Sequence, residues 1–145
     1  INLSIYIYMA SLNKKVMISM NSAILFLLVN LPQTYQVMNK LLGSVVYNEQ
    51  TKCPTNVGLV VHALVFFAIT YLGMGKSSVS KGIKLKHSLY GTLIFYLISS
   101  PALFSVVGSL LGNWVSDSNG CPTMQGLLLH SLVFCMALVG VMYLP

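Results

Sequence analysis

Four long stretches of the chain are rich in apolar residues and carry no Lys, Arg, Asp or Glu: residues 16–39, 53–75, 87–116 and 118–145. Each approaches the roughly 20 apolar residues that an α-helix needs to cross a bilayer. The pattern therefore predicts four transmembrane helices. Residues 1–15 begin with an apolar–polar alternation that would suit an edge strand, but we expect a loosely tied terminus there.

A proline interrupts the first and the third stretch at matching places. Pro32 and Pro101 each remove one backbone hydrogen bond, so we expect both helices to be kinked at the same depth. Beyond Pro32, polar and apolar residues are mixed, and this second half of the first stretch could lie at the membrane interface as an amphipathic helix. The second and fourth stretches both open with Cys-Pro-Thr, which suits the first turn of a helix.

The chain repeats itself at an offset of 68 or 69 residues, and such self-similarity constrains the whole fold. The segment 53–62 reads CPTNVGLVVH and the segment 121–130 reads CPTMQGLLLH. Upstream, Phe26, Pro32 and the Leu-Leu-Gly at 41–43 recur as Phe95, Pro101 and the Leu-Leu-Gly at 110–112. A single helical hairpin has evidently been copied in tandem.

The repeat divides the chain into four parts: an N-terminal tail (1–15), a first hairpin (16–74), a basic linker (75–86) and a second hairpin (87–145). Two hairpins of two spans each have the same orientation in the membrane. The predicted fold is therefore all-α, with four transmembrane helices forming two tandem helical hairpins related by a pseudo-two-fold axis along the membrane normal.

Composition supports a membrane protein. Hydrophobic residues make up 56% of the chain, the mean hydropathy is +0.79, and only 7% of residues are charged, against about 25% in soluble domains. The net charge of +6 comes from lysine alone. Because arginine supplies the planar fork that grips phosphate, its absence argues against nucleic-acid binding.

The lysines are distributed unevenly on a four-span topology. One face receives six of them: Lys14, Lys15, Lys76, Lys81, Lys84 and Lys86. The other receives Lys40, Lys52, Glu49 and Asp117, whose charges cancel. The positive-inside rule then places both termini and the central loop on the cytoplasmic side.

Two pairs of equivalent residues are candidates for chemistry. Cys53 and Cys121 could form a disulfide between the repeats if their face is lumenal, or each could simply be a small residue at a helix start. His62 and His130 lie at equal depth, as bis-histidine haem ligands would. We favour a role for both histidines as polar groups between helices, and we expect no bound cofactor or metal. The unmatched Cys135 is predicted to be a buried thiol.

Four glycines are candidates for close helix packing, since small residues let transmembrane helices approach: Gly58, Gly126, Gly108 and Gly112. Catalytic groupings are missing, because the two carboxylates fall in the loops of different repeats and no phosphate-binding or CxxC motif is present. We therefore expect no enzymatic activity.

The proline-interrupted helix, the Leu-Leu-Gly turn and the CPTxxGLxxH motif, each present twice, resemble small multispanning proteins of nucleocytoplasmic large DNA viruses of the phycodnavirus kind. The resemblance covers nearly all of residues 18–145. It implies a virion protein of the inner membrane, derived from host endoplasmic reticulum, that acts as a minor capsid component beneath the shell. Its partners would be the lipid bilayer, other capsid proteins and further copies of the chain.

Two other functions fit the residues. Duplicated hairpins broken by proline near mid-membrane also occur in channels and transporters, where Asn30, Ser99 and Ser100 would line the site. A redox carrier using His62 and His130 is the third hypothesis.

Overall fold

A computed structural model describes the backbone of residues 2–74 and 80–144 and the side chains of this range from residue 11 onward. Its helices are α1 (Asn2–Asn30), α2 (Pro32–Leu42), α3 (Asn56–Gly73), α4 (Lys81–Ser99), α5 (Pro101–Leu111) and α6 (Met124–Val141). Two short strands, β1 (Tyr47–Asn48) and β2 (Cys53–Pro54), pair antiparallel in the loop between α2 and α3. The described part of the chain is thus mainly helical with little sheet, as the sequence predicts.

Three helical segments are long and apolar enough to cross a membrane: Ser11–Asn30, Asn56–Gly73 and Met124–Val141. The pair formed by α4 and α5 also qualifies if it counts as one span bent by 51°. The described chain therefore has three or four candidate spans, consistent with a multi-pass membrane protein.

Both prolines begin a new helix, a stronger effect than the predicted kink. Leu31 and Ser100, the residues before them, adopt nearly identical extended conformations (φ −60°, ψ 141° and φ −65°, ψ 136°). Proline disfavours a helical residue before it and fits the first helical turn itself, which explains the end of one helix and the start of the next.

The N-terminal region and the linker differ from the sequence prediction. Helix α1 already begins at Asn2, where a loose terminus was expected, because no proline or glycine stops the helix before Pro32. Helix α4 takes in residues 81–86 of the predicted linker and is capped by the Ser80 side chain. Residues 75–79 of that linker lie outside the described residues.

The four long helices, α1, α3, α4 and α6, pack against one another as a bundle. The closest packing is between α1 and α6 and between α3 and α4, while α1–α3 and α4–α6 pack less extensively. The centre is a buried cluster of four phenylalanines, one from each helix: Phe26, Phe66, Phe95 and Phe134.

The outside of the bundle is apolar. Equivalent side chains on the four long helices are more than half exposed: Ile24, Leu64, Leu93 and Leu132. Exposed apolar surface on this scale is unfavourable in water but matches the hydrocarbon of a bilayer.

Candidate functional site

Each repeat contains a buried histidine that forms a hydrogen bond to the backbone of a neighbouring helix. His62 on α3 donates from Nδ1 to the Val29 carbonyl oxygen on α1 at 2.8 Å, and His130 on α6 donates to Ile98 on α4 at the same distance. Because a carbonyl only accepts, both rings carry their proton on Nδ1. Each Nε2 is buried and has no hydrogen-bond partner among the described residues.

An aromatic ring covers one face of each imidazole. Tyr35 stacks on His62 with ring centroids 3.7 Å apart, and Phe104 stacks on His130 at 3.6 Å. Tyr35 and Phe104 are equivalent in the repeat, but the difference between tyrosine and phenylalanine hid that match in the sequence. Each histidine is therefore held by a backbone carbonyl and by a stacked ring.

The threonine of each Cys-Pro-Thr caps its helix and binds the preceding loop. Thr55 Oγ1 accepts from Gly58 N at 3.0 Å and donates to the carbonyl oxygens of Val45 and Val46. Thr123 makes the corresponding bonds to Gly126, Trp114 and Val115. One hydroxyl thus fixes both the helix start and the loop that lies over it.

Three of the glycines predicted to pack against helices, Gly58, Gly126 and Gly108, lie instead against loop residues. A Cβ atom on Gly58 would overlap the Val46 carbonyl oxygen, and one on Gly126 would overlap that of Val115. Gly108 leaves room for the Ser116 hydroxyl, again from a loop. Gly112 ends α5 with φ +111°, a conformation that favours glycine.

Cys53 and Cys121 are joined by a disulfide, with their Cα atoms 5.2 Å apart. Of the two alternatives that the sequence left open, the structure has the bonded one. The bond connects the loops of the two repeats, so both loops lie at one end of the bundle. Cys135 is a free thiol and only half-buried, where full burial was expected.

The polar residues beside the prolines also meet. Asn30 Nδ2 donates to Ser99 Oγ at 3.0 Å and to the Phe26 carbonyl at 2.9 Å, and both side chains are buried. Ser100 instead caps α5 by accepting from Leu103 N. Asn30 and Ser99 are therefore bonded to each other between the two helix breaks.

The described residues include no group of three or more His, Cys, Asp or Glu side chains able to hold a metal ion. The arrangement instead couples helices and loops through hydrogen bonds, stacked rings and a covalent bond. Its class is a helical bundle with three or four candidate membrane spans. Comparisons with protein-family models, with curated proteins and with solved structures gave no match.

Proposed function

We propose that this chain is a structural integral membrane protein of a large DNA virus particle, which anchors or organises the inner membrane beneath the capsid as a minor capsid component. The viral part of the proposal is supported by the resemblance of the duplicated CPTxxGLxxH motif. The anchoring part is supported by the apolar exterior of the bundle and by its candidate spans.

The structural role is supported by the buried polar side chains and the two cysteines, which form bonds between helices and between loops. Asn30 bonds to Ser99, His62 and His130 bond to carbonyls of neighbouring helices, and Cys53 bonds to Cys121. These bonds hold the helices and loops in one arrangement. Such internal cross-linking suits a rigid anchor.

A pseudo-two-fold axis along the bundle is part of the proposal. Residues related by a two-fold axis can contact each other only beside that axis. Four equivalent pairs do so: Cys53–Cys121, Asn30–Ser99, Phe26–Phe95 and Phe66–Phe134. The remaining phenylalanine contacts also match, since the Phe26–Phe134 and Phe66–Phe95 centroids are 4.7 and 4.6 Å apart.

We also propose that the disulfide end of the bundle faces a lumen and that the lysine-rich end faces the cytoplasm. Two independent properties support this orientation. Lysines near membrane spans are retained on the cytoplasmic side, and disulfides form in oxidising compartments such as the lumen of the endoplasmic reticulum. Lys15 and Lys86 lie together at the end opposite Cys53 and Cys121.

Two measurements test the proposal in order. The full chain, expressed in eukaryotic cells, should remain in the membrane pellet after alkaline carbonate extraction. Crosslinking mass spectrometry on intact source particles should then link its loops to capsid proteins. Extraction into the supernatant contradicts the anchor, and absence of the chain from purified particles contradicts the virion role.

The competing functions have distinct signals. A channel or transporter would give liposome flux that is lost in Asn30→Leu and Ser99→Leu, whereas a structural protein gives no flux before or after substitution. A haem carrier would purify with a Soret band that His62→Leu removes. Either positive signal overturns a purely structural role.

A further inference from the structure

A cavity of about 420 Å³ opens at the lysine-rich end of the bundle, between α1, α3, α4 and α6. Its volume lies within the range of small-molecule pockets, roughly 300–1,000 Å³. All four long helices contribute to its lining, so the cavity continues the axis of the bundle. It is separate from the histidines, the disulfide and the loops described above.

The walls of the cavity are apolar. Ile18, Leu138 and Val141 line it, and Phe66, which belongs to the buried phenylalanine cluster, forms its inner boundary. Thr70 also lines the cavity, and its hydroxyl donates a hydrogen bond to the Phe66 carbonyl oxygen at 2.8 Å within α3. The interior therefore suits a hydrocarbon chain better than a polar solute.

The mouth of the cavity is basic. Lys15, Lys86 and His87 line it, and no carboxylate does. The two acidic residues of the chain, Glu49 and Asp117, lie in the loops at the other end of the bundle. The Lys15 ammonium lies 3.7 Å from the centroid of the Tyr143 ring, and the Lys86 ammonium lies 5.9 Å from that of Tyr90. No side-chain carboxylate of the chain lies at this end to neutralise the two ammonium groups.

We propose that this cavity binds one acyl chain of an anionic phospholipid from the surrounding leaflet, with the headgroup phosphate held by Lys15 and Lys86. An apolar cavity with an uncompensated cationic mouth is complementary to an amphiphile that carries negative charge at one end. The site rests on the bundle being embedded in a bilayer and is independent of whether the chain belongs to a virion. The bound lipid would fill the open end of the bundle.

Native mass spectrometry of the purified full chain tests the site with two probes that share their acyl chains, palmitoyl-oleoyl phosphatidylglycerol and palmitoyl-oleoyl phosphatidylcholine. We expect phosphatidylglycerol to bind more tightly. Lys15→Gln and Lys86→Gln should each weaken it about fivefold, which corresponds to the ~1 kcal/mol that one lysine contributes near an anionic lipid surface. Phosphatidylcholine carries the same phosphate, but its choline ammonium offsets the charge and leaves the headgroup neutral, so its binding should change less than twofold.

Matched control variants distinguish binding in the cavity from non-specific attraction of anionic lipid to surface lysines. Lys14→Gln and Lys81→Gln remove exposed lysines of the same helices outside the cavity, and should leave both affinities within twofold. Ser22→Phe fills the cavity and should weaken both lipids. Gly91→Leu provides a second filling variant, because its Cβ would meet Phe66 at an ordinary 3.7 Å.

A last test is competition with glycerol 3-phosphate, which carries the headgroup phosphate but no acyl chain. We expect millimolar glycerol 3-phosphate not to displace bound phosphatidylglycerol. Equal affinity for the two lipids, equal losses in the control lysine variants, unchanged binding in both filling variants, or displacement by glycerol 3-phosphate would each overturn the proposal. None of these outcomes bears on carbonate extraction or on crosslinking in particles, so the two proposals fail separately.

Discussion

At the residue scale, the two repeats use different side chains for the contact between the loop and the helix that precedes it. Asn39 in the first repeat accepts hydrogen bonds from Val46 N and Tyr47 N at 3.2 and 3.1 Å, which ties the loop to α2. The equivalent position in the second repeat is Gly108, and the serine that replaces Tyr47, Ser116, occupies the vacated space. The contact is thus made by a helix side chain, Asn39, in the first repeat and by a loop side chain, Ser116, in the second.

This exchange predicts coupled substitutions. Gly108→Ala should lower the melting temperature, because its methyl group would overlap the Ser116 hydroxyl. Ser116→Gly removes that hydroxyl, so the double variant should regain most of the loss. Thermal unfolding in detergent measures both. Additive losses in the double variant would show that the two side chains do not share one space.

Gly126→Ala tests the close approach of loop and helix. The added methyl group would meet the Val115 backbone, which is held in place by Thr123, so we expect a loss of about 1–3 kcal/mol, as for other overpacked interiors. Gly140→Ala on the same helix meets nothing within 4 Å and serves as the control. Equal melting temperatures for the two variants would contradict the contact.

The two histidines make equivalent contacts, so replacing either one should lower the free energy of unfolding by a similar amount. His62→Leu and His130→Leu each remove one hydrogen bond between helices, worth roughly 0.6–1.7 kcal/mol in a membrane protein. His87→Leu, an exposed position, is the control and should leave thermal unfolding unchanged. A loss confined to one of the two equivalent histidines would show that the repeats are not held alike.

At the scale of helices and loops, the disulfide connects segments 68 residues apart. Closing a loop of this length restricts the unfolded chain, which can stabilise the folded state by up to about 4 kcal/mol. Reduction, or the pair Cys53→Ser and Cys121→Ser, should therefore lower the melting temperature, while Cys135→Ser should not.

Thiol counting checks the bond directly. Without reductant, the denatured chain should take up a maleimide label on one cysteine, and after reduction on three, because only Cys135 is free. Labelling of all three cysteines in protein isolated under non-reducing conditions would contradict the bond.

The helix breaks show what local sequence predicts and what it does not. Pro32 and Pro101 mark both breaks, because the proline ring acts on its immediate neighbours. The bend of 51° at the second break depends on which surfaces α5 packs against, and no local pattern carries that information. Tyr35 and Phe104 were missed for a similar reason, since their partner histidines are distant in sequence.

At the scale of the whole molecule, the distribution of lysine predicts a fixed topology. In a cysteine-free background, Ser80→Cys should react with an impermeant maleimide from the cytoplasmic side, and Asn119→Cys only from the lumenal side. Ser80 precedes α4 at the lysine-rich end, and Asn119 lies in the loop that carries Cys121. Labelling of both from one side would contradict the four-span topology, because a re-entrant α4–α5 pair would leave both residues on the same side of the membrane.

The sequence by itself determined the helical class, the positions of the breaks and the duplication, because apolar run length, proline geometry and self-similarity are properties of neighbouring or repeated residues. Tertiary structure alone decided that Cys53 bonds to Cys121, that Gly58, Gly108 and Gly126 lie against loops, and that a cavity with lysines at its opening lies between four helices. Each of these depends on distances between residues far apart in the chain, which are set by packing.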